Sequence, residues 1–153
     1  MKYRLIAVGK VREPYVAAAV EDFRGRFARY EAFDEIEVAA SHGGDEARAV
    51  REESERILKA LAPGDILWLL ERTGTQFSSV ALSQRLRALG DAGTARIVFA
   101  IAGPYGASDA LLARANVRWS LSELTLLHEW SRALVLEQLY RAAKIARNEP
   151  YHH

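Results

Sequence analysis

Few side chains in this 153-residue chain could move a proton near neutral pH, and the four histidines, His42, His128, His152 and His153, are scattered. No two of them stand at the spacing by which a helix or loop ligates a metal, so a metal site is not expected. There is no cysteine, which excludes a thiol nucleophile, a disulfide and any sulfur-ligated zinc. Neither a GxSxG elbow nor a GxGxxG fingerprint nor a Walker lysine is present, which disfavours serine hydrolysis, dinucleotides and nucleoside triphosphates. What remains is concentrated in the last third: the turn IAGPYG, the loop SLSELTL from Ser120 to Leu126, and the closing Tyr151, His152 and His153. A neutral imidazole, with an ordinary pKa of about 6.5, can accept a proton at pH 7.

Each of these segments also has a plainer reading. Gly103 and Gly106 suit a close backbone approach to a ligand or a positive φ, but also an ordinary strand-to-helix turn with Ser108 or Asp109 as N-cap. Ser120 to Leu126 reads as a buried, ligand-lining loop, the alternative being an edge strand. His128 opens the last helix, where imidazolium is disfavoured, and is given no catalytic role. The first 30 residues carry seven basic side chains against three acids. Arg24 and Arg26 among them are candidate phosphate contacts for an RNA, with a solvated helix face as the bland alternative.

The elements that must position these groups alternate. RLIAVG, EIEV, DILWLL, RIVFAIAG and VRWSL read as strands. Helices are expected over PYVAAAVEDFRGRFARY, Asp45 to Leu61, about Ser79 to Leu89, a short stretch from about Ser108, and about Glu129 to Arg147. This pattern predicts an α/β fold, a mostly parallel sheet with helices on both faces. Ligands of such sheets sit beyond the carboxyl ends of the strands, so the loops after the third, fourth and fifth strands should share one rim.

Length and composition fit a single domain over residues 1–153, with net charge +1 and half the residues hydrophobic. No apolar run approaches the ~20 residues of a membrane span, and the opening MKYRLIAVGK lacks signal-peptide architecture, so a cytoplasmic protein is expected. The last helix is apolar on more than one side, which favours a homodimer.

Taken in order, AVGK, the LxxxxG after the third strand, IAGPYG, SLSELTL followed by His128, VLEQLYRA and PYHH run nearly end to end. In this set the chain resembles the ribosomal RNA large subunit methyltransferase H family, a branch of the SPOUT methyltransferases. The resemblance implies a trefoil knot in the C-terminal half and a homodimer acting on the ribosome. It implies S-adenosylmethionine as cofactor and N3 of a pseudouridine in 23S ribosomal RNA as acceptor. Carried over by position, Leu70, Ala102, Gly103 and Leu121, Ser122, Glu123, Leu124, Thr125 and Leu126 would hold the cofactor. For the proton that N3 must lose, His152 is the candidate general base, Tyr151 could stack on the base, and a protonated His153 could meet a phosphate. The chain departs from the family pattern at Ala102, where a glycine is common, at Tyr105, at Leu127 where proline is frequent, and at His153, where a fixed positive charge is usual. Ala102 and Tyr105 above all keep open a non-catalytic ribosome-binding or assembly factor with a degenerate SPOUT fold. A transfer-RNA methyltransferase is disfavoured by the short chain.

Overall fold

The computed structural model describes residues 1–151. The chain order is β1 (Lys2–Val8), α1 (Pro14–Phe27), β2 (Phe33–Val38), α2 (Glu46–Lys59), β3 (Ile66–Thr75), α3 (Ser79–Asp91), β4 (Arg96–Ile101), α4 (Asp109–Arg114), β5 (Val117–Trp119) and α5 (Trp130–Ala146). Helix starts follow the capping chemistry of the sequence. Pro14 occupies the first turn of α1, where its missing N–H costs nothing. Asp45, Ser78 and Ser108 each accept a backbone N–H of the turn they open.

The five strands form one sheet in the order β2-β1-β4-β3-β5, with every pairing parallel. Alternation along the strands divides the core. Tyr3, Leu5, Ala7, Trp68, Ile97 and Phe99 face one side, against Val16 and Val20 of α1, Leu82 of α3 and Leu136 and Leu139 of α5. Ile6, Val8, Leu67, Leu69, Val98 and Ala100 face the other, against Ile57 of α2 and Leu111 of α4. The crossovers through α1 and α3 step toward the β2 edge, and those through α2 and α4 step toward the β5 edge. Crossovers of one hand must put helices that step in opposite directions on opposite faces, which is the division observed.

Two strands differ from the sequence expectation. β3 does not stop at Leu70 but runs to Thr75, and Leu70 and Thr75 both pair with Trp119, so residues 71–74 form an excursion from the ladder. Gly74 permits it, since a β-carbon there would lie 2.4 Å from the carbonyl oxygen of Arg118. β5 ends at Trp119 rather than at Leu121, because Ser120 turns the chain by donating from its hydroxyl to the Ser122 carbonyl at 3.0 Å.

The two-sided apolarity of α5 is largely satisfied within the chain. It packs on the sheet and between α1 and α3, and only Trp130 and Leu134 remain as its large exposed apolar side chains among the described residues.

Candidate functional site

Because all five strands are parallel, every carboxyl end opens on the same edge of the sheet. Leu69 pairs with Ala100 and Leu70 with Trp119, which places Leu70, Ile101 and Trp119 side by side. Ala102 and Gly103 follow directly on one side, Ser120 and Leu121 on the other. Three adjacent strands at their usual spacing span about 10 Å, so the loops named for the cofactor do converge on one rim.

The turn after β4 is closed by the Gly106 N–H donating to the Gly103 carbonyl at 3.0 Å. Its two glycines have different reasons. Gly106 has φ +93, a conformation that a side chain would strain. Gly103 is packed against a neighbour instead: a β-carbon would fall 1.9 Å from Oε2 of Glu53. Among the described residues only Asn148 combines a side chain with positive φ, so Ala102 carries its methyl without strain and packs it into the core. Beyond the turn Ser108 caps α4, and its own N–H donates to the Ser54 hydroxyl of α2 at 2.9 Å.

The loop after β5 is neither the buried segment expected nor an edge strand. Leu121, Ser122 and Leu126 are half-buried, Glu123 and Thr125 are exposed, and Leu124 is 72% exposed. Its base is fixed all the same: the Ser120 N–H donates to the Thr75 carbonyl at 3.0 Å, and the Leu124 N–H to the Ser122 hydroxyl at 3.0 Å. The loop is thus pinned at its root, with Leu121 against the core and Leu124 turned outward.

A third feature of the rim escaped the sequence reading. Arg132, 3% exposed, reaches the exit of β1, donating to the carbonyls of Val8 and Gly9 and pairing with Glu35 and Glu37 at 3.4 and 3.5 Å. The Glu129 carboxylate accepts the N–H groups of Glu13 and Arg12, contacts that hold its carboxyl below the usual range. His128 Nε2 lies 3.4 Å from the Val8 carbonyl. The start of α5 therefore clamps the loop after β1. The available signal was an arginine inside an otherwise apolar helical run, which demands a buried partner.

Arg24 and Arg26 are both ion-paired within the chain. Arg24 pairs with Glu21 and Glu35, and Arg26 with Asp22. Of the basic residues in that stretch, Lys2, Lys10, Arg12 and Arg29 make no ion pair among the described residues, and Lys10 and Arg12 sit on the rim.

The tail lies elsewhere. α5 runs antiparallel to the strands: Arg132 grips the end of β1, whereas Arg147 donates to the Tyr30 carbonyl, just ahead of β2. Tyr151 folds back on the Tyr140 ring at 4.8 Å, beneath the Arg141 guanidinium at 4.5 Å. At 1.5 Å per residue, Tyr140 is roughly 15 Å along the helix from its rim end. Within one chain, then, Tyr151 is not beside the three loops. His152 and His153, read as proton acceptor and phosphate contact, lie outside the described residues. No group of three His, Asp or Glu among the described residues could hold a metal, and no described helix is long and apolar enough to cross a membrane.

Comparison with known proteins bears on this rim. Residues 1–152 match the model of a family described as "Predicted SPOUT methyltransferase". The chain is 41% identical to the ribosomal RNA large subunit methyltransferase H of Trichlorobacter lovleyi over the full length of both. It is 42% identical to that of Geotalea daltonii, again over all of both chains. The corresponding protein of Parabacteroides distasonis is 40% identical, with all of this chain and 99% of the relative covered.

Proposed function

We propose a function from one premise: this chain belongs to the SPOUT methyltransferase family. It transfers a methyl group from S-adenosylmethionine to large-subunit ribosomal RNA, at N3 of a pseudouridine in the 23S molecule. The observation that carries the donor site is the convergence of Leu70, the Ala102–Gly103 turn and the root of the Ser120–Leu126 loop on adjacent strands. This rim suits such a donor. Backbone amides and carbonyls of the turn and loop would hold it, the half-buried Leu70, Leu121 and Leu126 would wall it, and the C-terminal half would carry the family's trefoil knot.

When bound, the donor supplies an electrophilic methyl on sulfur. The chain's work is to hold donor and acceptor in near-attack geometry, an arrangement worth up to about 7–11 kcal/mol of barrier in well-oriented systems. The acceptor N3 must also lose a proton, which His152 would take as a neutral imidazole. Tyr151 would stack on the base, and His153, Lys10 and Arg12 would meet phosphates.

The distance from Tyr151 to its own rim supports a homodimer in which the tail of one copy reaches the donor loops of the other. Tyr15 and Trp130, in contact at 6.0 Å, form an exposed apolar patch with Leu134 and Leu127 that a second copy could cover.

The test is to incubate the purified protein with S-adenosylmethionine and with ribosomes lacking the modification. Binding of the donor followed by a methyl on N3 is expected. Binding without transfer would favour an assembly factor. Deleting Tyr151 to His153 should abolish transfer and leave donor affinity intact.

A further inference from the structure

Gly103 is excluded from carrying a side chain by one neighbour, and that neighbour is a buried acid. Glu53 of α2 is 4% exposed. Its Oε1 accepts the Ser41 N–H at 2.9 Å, while Oε2 has no hydrogen-bond partner among the described residues. Oε2 stands where a β-carbon of Gly103 would be, 1.9 Å from that position, so it faces the Cα–H of the glycine, a weak donor. A buried carboxylate oxygen left this way costs stability and calls for a reason.

Resting on the donor-site reading above, we propose that Glu53 is a positioning residue for the methyl-donor turn. Its carboxylate fills the volume of the absent Gly103 side chain and sets the height of the turn above α2. Through Ser41 it also ties that turn to the chain leaving β2. Ser54, the next residue, holds the far end of the same turn through the Ser108 N–H, so two consecutive residues of α2 support it at both ends. An apolar side chain could fill the space but could not take the Ser41 amide; a carboxylate does both. The glycine at 103 is thus required by the acid beneath it rather than by the ligand above it.

A double-mutant cycle read by calorimetric S-adenosylmethionine binding separates these two reasons. Gly103→Ala should weaken binding about tenfold or more, because its methyl collides with Glu53 and lifts the turn. Glu53→Gln keeps the shape and the Ser41 contact and should bind within about threefold of the parent. Glu53→Ala should weaken binding several-fold, raising the donor KM while kcat at saturating donor holds, which a mere loss of folded protein would not do. The decisive variant is Glu53→Ala/Gly103→Ala, expected to bind more tightly than Gly103→Ala alone. A double variant no better than Gly103→Ala, or a Glu53→Ala protein that binds as the parent does, overturns the inference. If thermal melting shows that Glu53→Ala does not fold, Glu53→Asp, which withdraws the carboxylate by one methylene, enters the cycle in its place. A parent protein that binds no S-adenosylmethionine would overturn the donor-site reading itself, a result distinct from binding without rescue.

Discussion

At the scale of single residues, Arg132 does the most. It satisfies two carbonyls at the end of β1 and neutralises Glu35 and Glu37 from a buried position. Arg132→Met keeps much of the apolar stem but removes the donor to the Val8 and Gly9 carbonyls and leaves Glu35 with Arg24 alone. We expect a loss of about 1–3 kcal/mol in urea unfolding, the usual cost of leaving buried acceptors without a partner. Gly74→Ala should cost about 1–3 kcal/mol by overpacking, since its methyl would press on the Arg118 carbonyl; donor affinity should fall with it, as the excursion shifts beside Leu70. Residue-level chemistry was the least legible part of the sequence. The glycines at 103 and 106 announced a special turn, but only the fold shows that one answers to φ and the other to Glu53. Arg24 and Arg26 looked like free charge although Glu21 and Asp22 stand three and four residues before them on the same helix; only the Arg24–Glu35 pair had to wait for α1 to lie beside β2.

The elements were easier to read, because period and capping are local. Asp45, Ser78 and Ser108 cap where a small polar residue precedes an apolar period, and the α2 and α3 boundaries follow within about two residues. What escaped is structure held by distant segments. The polar ERTGT after Leu70 reads as loop, yet Thr75 returns to pair with Trp119, a contact that exists only once β5 is in place. The junction of α5 with the loop after β1 is of the same kind, and it is sensitive to acid. Glu129 has its carboxyl pKa depressed by the N–H groups of Glu13 and Arg12. A folded-state pKa below the unfolded one means that the contact stabilises fully above the unfolded value of about 4.3 and is lost as pH falls through the folded one. Amide exchange at Arg12 and Glu13 should therefore accelerate below about pH 4 relative to the core of β1, after correction for intrinsic rates. Glu129→Gln, which still accepts but without charge, should accelerate it at pH 7.

For the molecule as a whole, the same sign applies at the opposite end of the sheet. Asp65 is buried, which alone would raise its pKa; the bidentate contact from Arg96 at 2.7 and 2.8 Å and the Ala62 N–H outweigh that and hold it low. Asp34 is likewise held low by Arg4. Stability measured by denaturant should be level from about pH 8 to pH 5 and fall steeply below about pH 4 as these carboxylates protonate; Asp65→Asn should flatten the acid limb and lower the plateau. Assembly is a second global test. Trp130→Glu, on the exposed patch with Tyr15, should sediment as a monomer if that patch joins two copies, and should lose methyl transfer while still binding the donor. The alternation of strand and helix made the class of fold legible, and the place of the proposed donor site followed from parallel strands, because all carboxyl ends share one edge. Where the tail lies was not legible, since it depends on α5 running back against the strands. That return has a consequence for synthesis. α5 is translated after every other described element, and it closes the apolar trench between α1 and α3. A nascent chain that has reached only residue 129 leaves that trench open to water. A protein proposed to modify the ribosome would therefore complete its core only once α5 has emerged from the ribosome that is making it.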